Sequence, residues 1–283
     1  MEVPRIHLLP AGRRRAVAVV GVLLLGLASG CSSAVSVSPQ ETTPPKPVSS
    51  KPAPPKPEPR RVDPATLPAA TTFGTTADAV PDPDPRAGTN GIVLRVKQEV
   101  TVHDAPRGTP VARLPATQFE SPTWVPIVEE RGDWARVLLP SRPNGSTGWV
   151  RIGVSAPVSK ARTPYVVEVD IDARRLVVRK SGREIGTWTV GVGAPGTRTP
   201  RGRTFILANI RETVTDFSPI VLPLGTHSAT LTTYGGGPGT VALHGWPDPS
   251  VFGTASSDGC VRVPKDALRL LRSLPLGTLV LLR

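Results

Sequence analysis

The segment TTPPKPVSSKPAPPKPEPRR, residues 42–61, places proline at nearly every second or third position and carries no apolar period. Proline lacks an amide donor and fixes φ, so such a chain neither pairs into a sheet nor continues a helix. From Val35 to about Asn90 the sequence therefore reads as a tether, extended and partly polyproline II. At ~3.1 Å per residue, about 55 residues reach on the order of 170 Å when fully extended. The core of this 283-residue chain is expected from the residues that follow.

Ahead of the tether stand Arg13, Arg14 and Arg15, an apolar run from Ala16 to Leu27, and Ala28-Ser29-Gly30-Cys31. This is the order of a secretory signal, and the run is short for a bilayer span. The Gly-Cys ending, followed by Ser32 and Ser33, resembles a bacterial lipoprotein signal, although Ala28 stands where leucine is more usual. The resemblance implies removal of residues 1–30 and a lipid on the sulfur of Cys31. The expected location is then the outer face of the cell membrane or the cell wall, with contact to the membrane through that anchor. Ordinary secretion is the alternative, with Cys31 lost or left near a free end.

Export governs how the cysteines are read, and there are only two, Cys31 and Cys260. A lipidated or discarded Cys31 leaves Cys260 unpaired; a disulfide between them requires Cys31 to be neither. Exported domains usually pair their cysteines or lack them, so a lone thiol is a candidate nucleophile. Burial as a small apolar side chain is the plain alternative. Against it, SSDGC is polar and glycine-bearing, which predicts a turn at a strand end. The formal charge of +12 falls to +9 once residues 1–30, with four arginines and one glutamate, are removed. An exported chain seldom meets nucleic acid, so none is expected as a partner; anionic wall polymers or lipid headgroups suit the charge better.

Two β-rich units follow the tether. In residues 91–156, GIVLRVKQEVTVHDAP alternates apolar and polar positions, and GDWARVLLP and GWVRI repeat the pattern between turn residues. The Gly-Asp-Trp and Gly-Trp-Val signatures resemble a bacterial SH3-like domain, and Trp124, Trp134 and Trp149 are core or ligand-stacking residues. In residues 163–283, TPYVVEVDI and RRLVVRKSGREIGTWTVGVG predict a β-meander with a hairpin turn at Ser181-Gly182. Strands are expected at RTFILANI, VALHG and TLVLLR. One helix starts at Pro264, with Ala267, Leu268 and Leu271 on one face and Pro275 as its stop. No internal repeat or βαβ alternation is visible, so the chain is expected to be mainly β, with one or two short helices.

Cysteine catalysis needs a base to ionise the thiol and donors aimed at the oxyanion. Of four histidines, His7 leaves with the signal and His103 lies in the first β unit, so His227 and His244 remain. His244 ends a predicted strand and precedes a glycine, which makes it the better candidate. No metal or cofactor is expected: a zinc hydrolase on His227, His244 and Cys260 lacks a metal-motif spacing, and a serine hydrolase on Ser257 lacks a nucleophile elbow.

HGW…SSDGCVR resembles the active-site signature of the L,D-transpeptidase family with the YkuD catalytic domain, a His-Gly followed by Ser-His-Gly-Cys and a downstream Arg or Asn. The upstream VGAPGTRTPRGRTFI is similar to its Thr-Pro-x-Gly-x-Phe element, with Arg203-Thr204 before Phe205. The resemblance covers residues 163–283 and implies a β-sandwich-like catalytic domain. It implies Cys260 as nucleophile, His244 as base, the amides of Asp258, Gly259 and Cys260 as oxyanion hole, Ser257 as the residue that orders the loop, and Arg262 as a substrate contact or a clamp through a carboxylate. Tyr234, beside the Gly235-Gly236-Gly237 run, and Trp246 are candidate substrate-binding residues. Asp258 departs from the family histidine and would raise the thiol pKa if it faces the sulfur. The implied activity is 3→3 cross-linking of peptidoglycan stem peptides through an acyl-enzyme, open to carbapenem-type inhibitors. An L,D-carboxypeptidase and a non-catalytic wall-binding lipoprotein are the alternatives.

Overall fold

The run Leu279–Leu282 is apolar at every position because both of its faces are buried. The structure, a computed structural model, describes residues 63–213, 217–233 and 237–283. Within them this strand lies parallel to Tyr165–Asp170 and antiparallel to Gly202–Phe205, inside a five-stranded sheet completed by Arg175–Lys180 and Arg183–Thr189. Side chains alternate across a sheet. Val280 and Leu282, with Val167 and Val169, face one core that includes Leu222, Leu243, Val261 and Leu271. Leu279 and Leu281, with Phe205 and Leu207, face a second core that includes Leu94, Val96, Val125 and Val137. One sheet thus belongs to the cores of both β units. The described residues are mainly β, with one α-helix, as the patterning predicts.

The first unit is an antiparallel sheet whose strands run in the order Val158–Arg162, Ile92–Val96, Trp124–Arg131, Trp134–Leu138, Ser146–Arg151, Val100–His103, Pro110–Leu114. Trp149 is buried in it, with the Arg131 and Arg136 guanidinium groups 5.1 and 5.9 Å from its ring centre. Trp124 and Trp134 are half-buried.

The segment expected as tether is not free up to Asn90. Residues 1–62, with Cys31 and the whole proline-rich run 42–61, lie outside the described residues, but from Leu67 onward the chain is docked. Ala70, Thr72 and Thr76 are buried. Ala70 N–H donates to the Arg113 carbonyl at 2.7 Å, Thr76 N–H donates to the Arg142 carbonyl at 2.8 Å, and Val80–Pro81 pairs with Ser146–Thr147. The physical reason is that this stretch buries small and hydroxyl side chains through main-chain hydrogen bonds, which an apolar period does not register. Its firmest tie is ionic: Asp82 accepts from Arg203 Nε at 2.7 Å and Nη2 at 2.6 Å, with the two side chains only 2% and 4% exposed.

The meander of the second unit turns at Ser181 and Gly182, whose φ values of +50° and +80° suit a two-residue hairpin. Lys265–Leu271 is the helix, beginning one position after the expected start, with Pro264 as its N-cap and with Ala267, Leu268 and Leu271 buried. A four-stranded sheet in the order Ile210–Arg211, Ile220–His227, Thr240–His244, Val261–Arg262 completes the unit. In its parallel pair, Leu243 stands opposite Val261 and His244 opposite Arg262.

Candidate active site

The residue that ends one strand of that pair and the one that precedes the other meet at a cavity of about 530 Å3. Its wall includes His244, Trp246, Ser257, Asp258, Cys260 and Arg262. Six of the candidate residues named from the sequence are therefore brought together. Gly259 lies in the same turn; Tyr234 lies outside the described residues. His227 goes elsewhere: it is fully buried, with Thr72 and Asn144 as its hydrogen-bond partners. Burial lowers its pKa, the Thr72 carbonyl opposes that shift and Arg142 adds to it.

Cys260 is a free, half-buried thiol whose sulfur accepts the Ala242 N–H at 3.4 Å. Burial pushes its pKa up, the Ala242 amide and the Arg262 charge counter this, and the Asp258 carboxylate adds to the rise. His244 is 7% exposed, and burial lowers its pKa to about 4 against the pull of its bond to Gly245 and with the help of Arg262. At neutral pH the pair therefore rests as thiol and neutral imidazole, not as thiolate and imidazolium.

Local hydrogen bonds fix the imidazole. His244 Nδ1 lies 2.7 Å from the Gly245 carbonyl, which can only accept, so Nδ1 carries the proton and Nε2 keeps its lone pair. Gly245 is held in turn by its N–H bond to Ser218 Oγ at 2.8 Å, and Ser218 donates to the Ile220 carbonyl at 2.6 Å. The Phe217 ring packs edge-on against His244 with centroids 5.1 Å apart. Neither Phe217 nor Ser218 carries a local sequence signal for this role.

The turn that carries the thiol is braced from both sides. Ser257 Oγ donates to the Cys260 carbonyl at 2.5 Å and accepts the Gly259 N–H at 3.2 Å. Gly259 adopts φ +116°, a conformation glycine favours. The Gly259 amide is thus engaged within the turn. From the other side, Thr199 Oγ1 donates to the Gly259 carbonyl at 2.9 Å and accepts the Gly193 N–H at 2.9 Å. Thr197 Oγ1 donates to the Ser257 carbonyl at 2.7 Å. The glycine- and threonine-rich element upstream is therefore the scaffold of the cysteine turn.

Arg262 stacks over Trp246, its guanidinium carbon 3.8 Å from the ring centre, and donates to Ser256 Oγ at 3.3 Å. Among the described residues its Nε has no hydrogen-bond partner. Asp258 is exposed at the cavity edge.

A buried lone-pair imidazole nitrogen and a thiol on one cavity, with a rigid turn behind the sulfur, can carry out nucleophilic acyl transfer. The chain is similar to several known proteins. The YkuD family description, L,D-transpeptidase catalytic domain, matches residues 164–282. A Bacillus licheniformis protein bearing the name L,D-transpeptidase YkuD is 30% identical over 150 residues, 51% of this chain and 84% of that protein. Among solved structures, an L,D-transpeptidase from Mycobacterium smegmatis aligns at 15% identity and TM-score 0.37, covering 53% of this chain and 90% of its own. L,D-transpeptidase 3 from Mycobacterium tuberculosis, solved with a faropenem-derived adduct, aligns at 16% identity and TM-score 0.36, covering 50% and 73%.

Proposed function

Because the chain belongs to the L,D-transpeptidase family with the YkuD catalytic domain, we propose that it cross-links peptidoglycan stem peptides through a thioester on Cys260. The observation that carries this reading is the placement of Cys260 and His244 on one cavity, with His244 Nδ1 committed to Gly245 and Nε2 left as the base.

The donor is a tetrapeptide stem with a diamino acid third and D-alanine fourth. As the sulfur attacks the carbonyl between them, the thiol proton passes to His244 Nε2, so no ion pair is needed beforehand. The carbonyl oxygen takes the negative charge, which main-chain amides of the Asp258–Cys260 turn stabilise. The carbon–nitrogen bond breaks, D-alanine leaves with the proton from His244, and a thioester remains. The side-chain amine of a neighbouring stem then attacks the thioester and gives up a proton to His244. The new amide forms as the sulfur leaves, and the proton returns to it.

Arg262, fixed on Trp246, offers its charge to an anionic group of the donor. Water in place of the amine would make the product a free tripeptide, the outcome of an L,D-carboxypeptidase. Incubation with a disaccharide tetrapeptide, read by mass spectrometry, separates the two: a cross-linked dimer less one D-alanine is expected, and a tripeptide monomer alone would reassign the enzyme as a hydrolase. Carbapenem-type inhibitors should add their mass to the wild-type protein and not to Cys260→Ala.

The first β unit is assigned as the SH3-like module, on its antiparallel strand order and the Gly-Asp-Trp and Gly-Trp-Val signatures. Lipid on Cys31 would hold the enzyme at the outer face of the membrane, and Cys31→Ala should then move it from the membrane to the soluble fraction. An unchanged distribution would remove the anchor from the account.

A further inference from the structure

Arg142 sits in the connection between the strands Trp134–Leu138 and Ser146–Arg151 of the first unit, yet its guanidinium is spent on the second. Nη1 donates to the Ser228 carbonyl at 3.3 Å and Nη2 to the Pro238 carbonyl at 2.9 Å. Two residues on, Asn144 Nδ2 donates to the His227 carbonyl at 2.7 Å, and its Oδ1 accepts the His227 N–H at 2.8 Å. Among the described residues no carboxylate pairs with Arg142.

These contacts fall on one structural unit, the connection that leaves the strand Ile220–His227 and returns to Thr240–His244. Its base is closed by the Ser228 N–H bonding the Gly239 carbonyl at 2.9 Å. Arg142 spans that closure, one nitrogen on the outgoing arm and one on the returning arm. A planar fork with fixed donors suits two separate carbonyls, whereas a lysine ammonium is a single point of charge. Ser228, Leu231, Gly239 and Thr240 line the cavity that holds Cys260, and Ser228 Oγ accepts the Leu231 N–H at 3.1 Å. Thr240 also opens the strand that carries Ala242, the donor to the sulfur, and His244.

We propose that Arg142 and Asn144 are positioning residues for acyl transfer: acting through His227, Ser228 and Pro238, they hold one wall of the cavity at a fixed distance from the Cys260 sulfur. The identity of the donor that this wall supports rests on the acyl-transfer reading; the clamp itself does not. Misplacement of about 1 Å at a reacting centre is enough to cost on the order of a hundred-fold in rate. A small alkylating agent needs no wall and should not sense the loss.

The full chain, wild type and with Arg142→Ala, Arg142→Lys or Asn144→Asp, is compared in three ways: amide hydrogen exchange at Ser228, Leu231 and Thr240, iodoacetamide alkylation of Cys260, and D-alanine release from a tetrapeptide. For Arg142→Ala the expectation is faster exchange at those amides, alkylation within about two-fold of wild type, and kcat/KM down by about ten- to a hundred-fold. Arg142→Lys should recover part of the loss, and millimolar guanidinium should restore part of the Arg142→Ala activity. Asn144→Asp, which can accept from His227 but not donate to it, gives a second comparison should Arg142→Ala not fold. Wild-type kcat/KM in a folded clamp variant would overturn the proposal, as would a loss matched by an equal loss of alkylation. Absence of D-alanine release from wild type would instead sink the acyl-transfer reading, and exchange alone would then decide whether the clamp exists.

Discussion

The main-chain N–H of Ala242 donates to the sulfur of Cys260 across 3.4 Å. Ala242 is two positions from His244 on one strand, and both line the cavity that holds the sulfur. Nucleophile and base, sixteen positions apart in sequence, are joined by this parallel pairing with Val261–Arg262.

Because burial raises the Cys260 pKa and lowers that of His244 to about 4, the resting thiol is unionised at neutral pH. Alkylation of Cys260 by iodoacetamide should therefore keep rising with pH to and beyond the ordinary thiol range of about 8.5. A plateau reached by pH 6 would reveal a preformed thiolate–imidazolium pair and contradict this reading.

Asp258 works against ionisation of the thiol. Asp258→Asn removes the charge and keeps the size, so its alkylation profile should move to lower pH, with a rate about two- to three-fold higher at pH 8. An unmoved profile would mean that the carboxylate is screened by solvent.

Both buried histidines also make stability depend on pH. Each has a folded pKa below its unfolded value, so each favours the folded state fully above pH 6.5, and that contribution is lost as pH falls; for His244 the loss runs toward pH 4. Urea midpoints measured from pH 7 to 4 should fall in wild type and fall less steeply in His244→Gln, with His227 contributing to the slope that remains. Equal slopes in the two proteins would deny His244 its buried, neutral state.

The Asp82–Arg203 pair ties the docked segment to the second unit through two short bonds between almost fully buried groups. Asp82→Asn leaves the guanidinium without its counter-charge and should cost about 3–5 kcal/mol of unfolding free energy. A loss below about 1 kcal/mol would place the pair among weak surface bridges.

The sequence showed the β units, the helix and six residues of the cavity because each left a local trace: alternation, a proline at a helix start, a histidine and cysteine beside glycines. Docking of residues 67–90 left none, since Ala70, Thr72 and Thr76 bury little apolar area and are held by main-chain bonds. The two-faced burial of Leu279–Leu282 was present as an unbroken apolar run, which signals burial without naming the partner on each face. Ser218, Thr199 and Arg142 act through bonds to residues 27, 60 and 86 or more positions away, and such pairings are fixed only by the folded chain. Motif spacing likewise does not reveal that Ser257 Oγ accepts the Gly259 N–H.

Release of D-alanine from a disaccharide tetrapeptide, measured side by side for wild type, Cys260→Ala and His244→Gln, tests the central claim most directly. The account predicts steady release by wild type, none above background for Cys260→Ala, and a loss of about a hundred-fold or more for His244→Gln. Release by Cys260→Ala equal to that of wild type, or no release by any of the three, would contradict it.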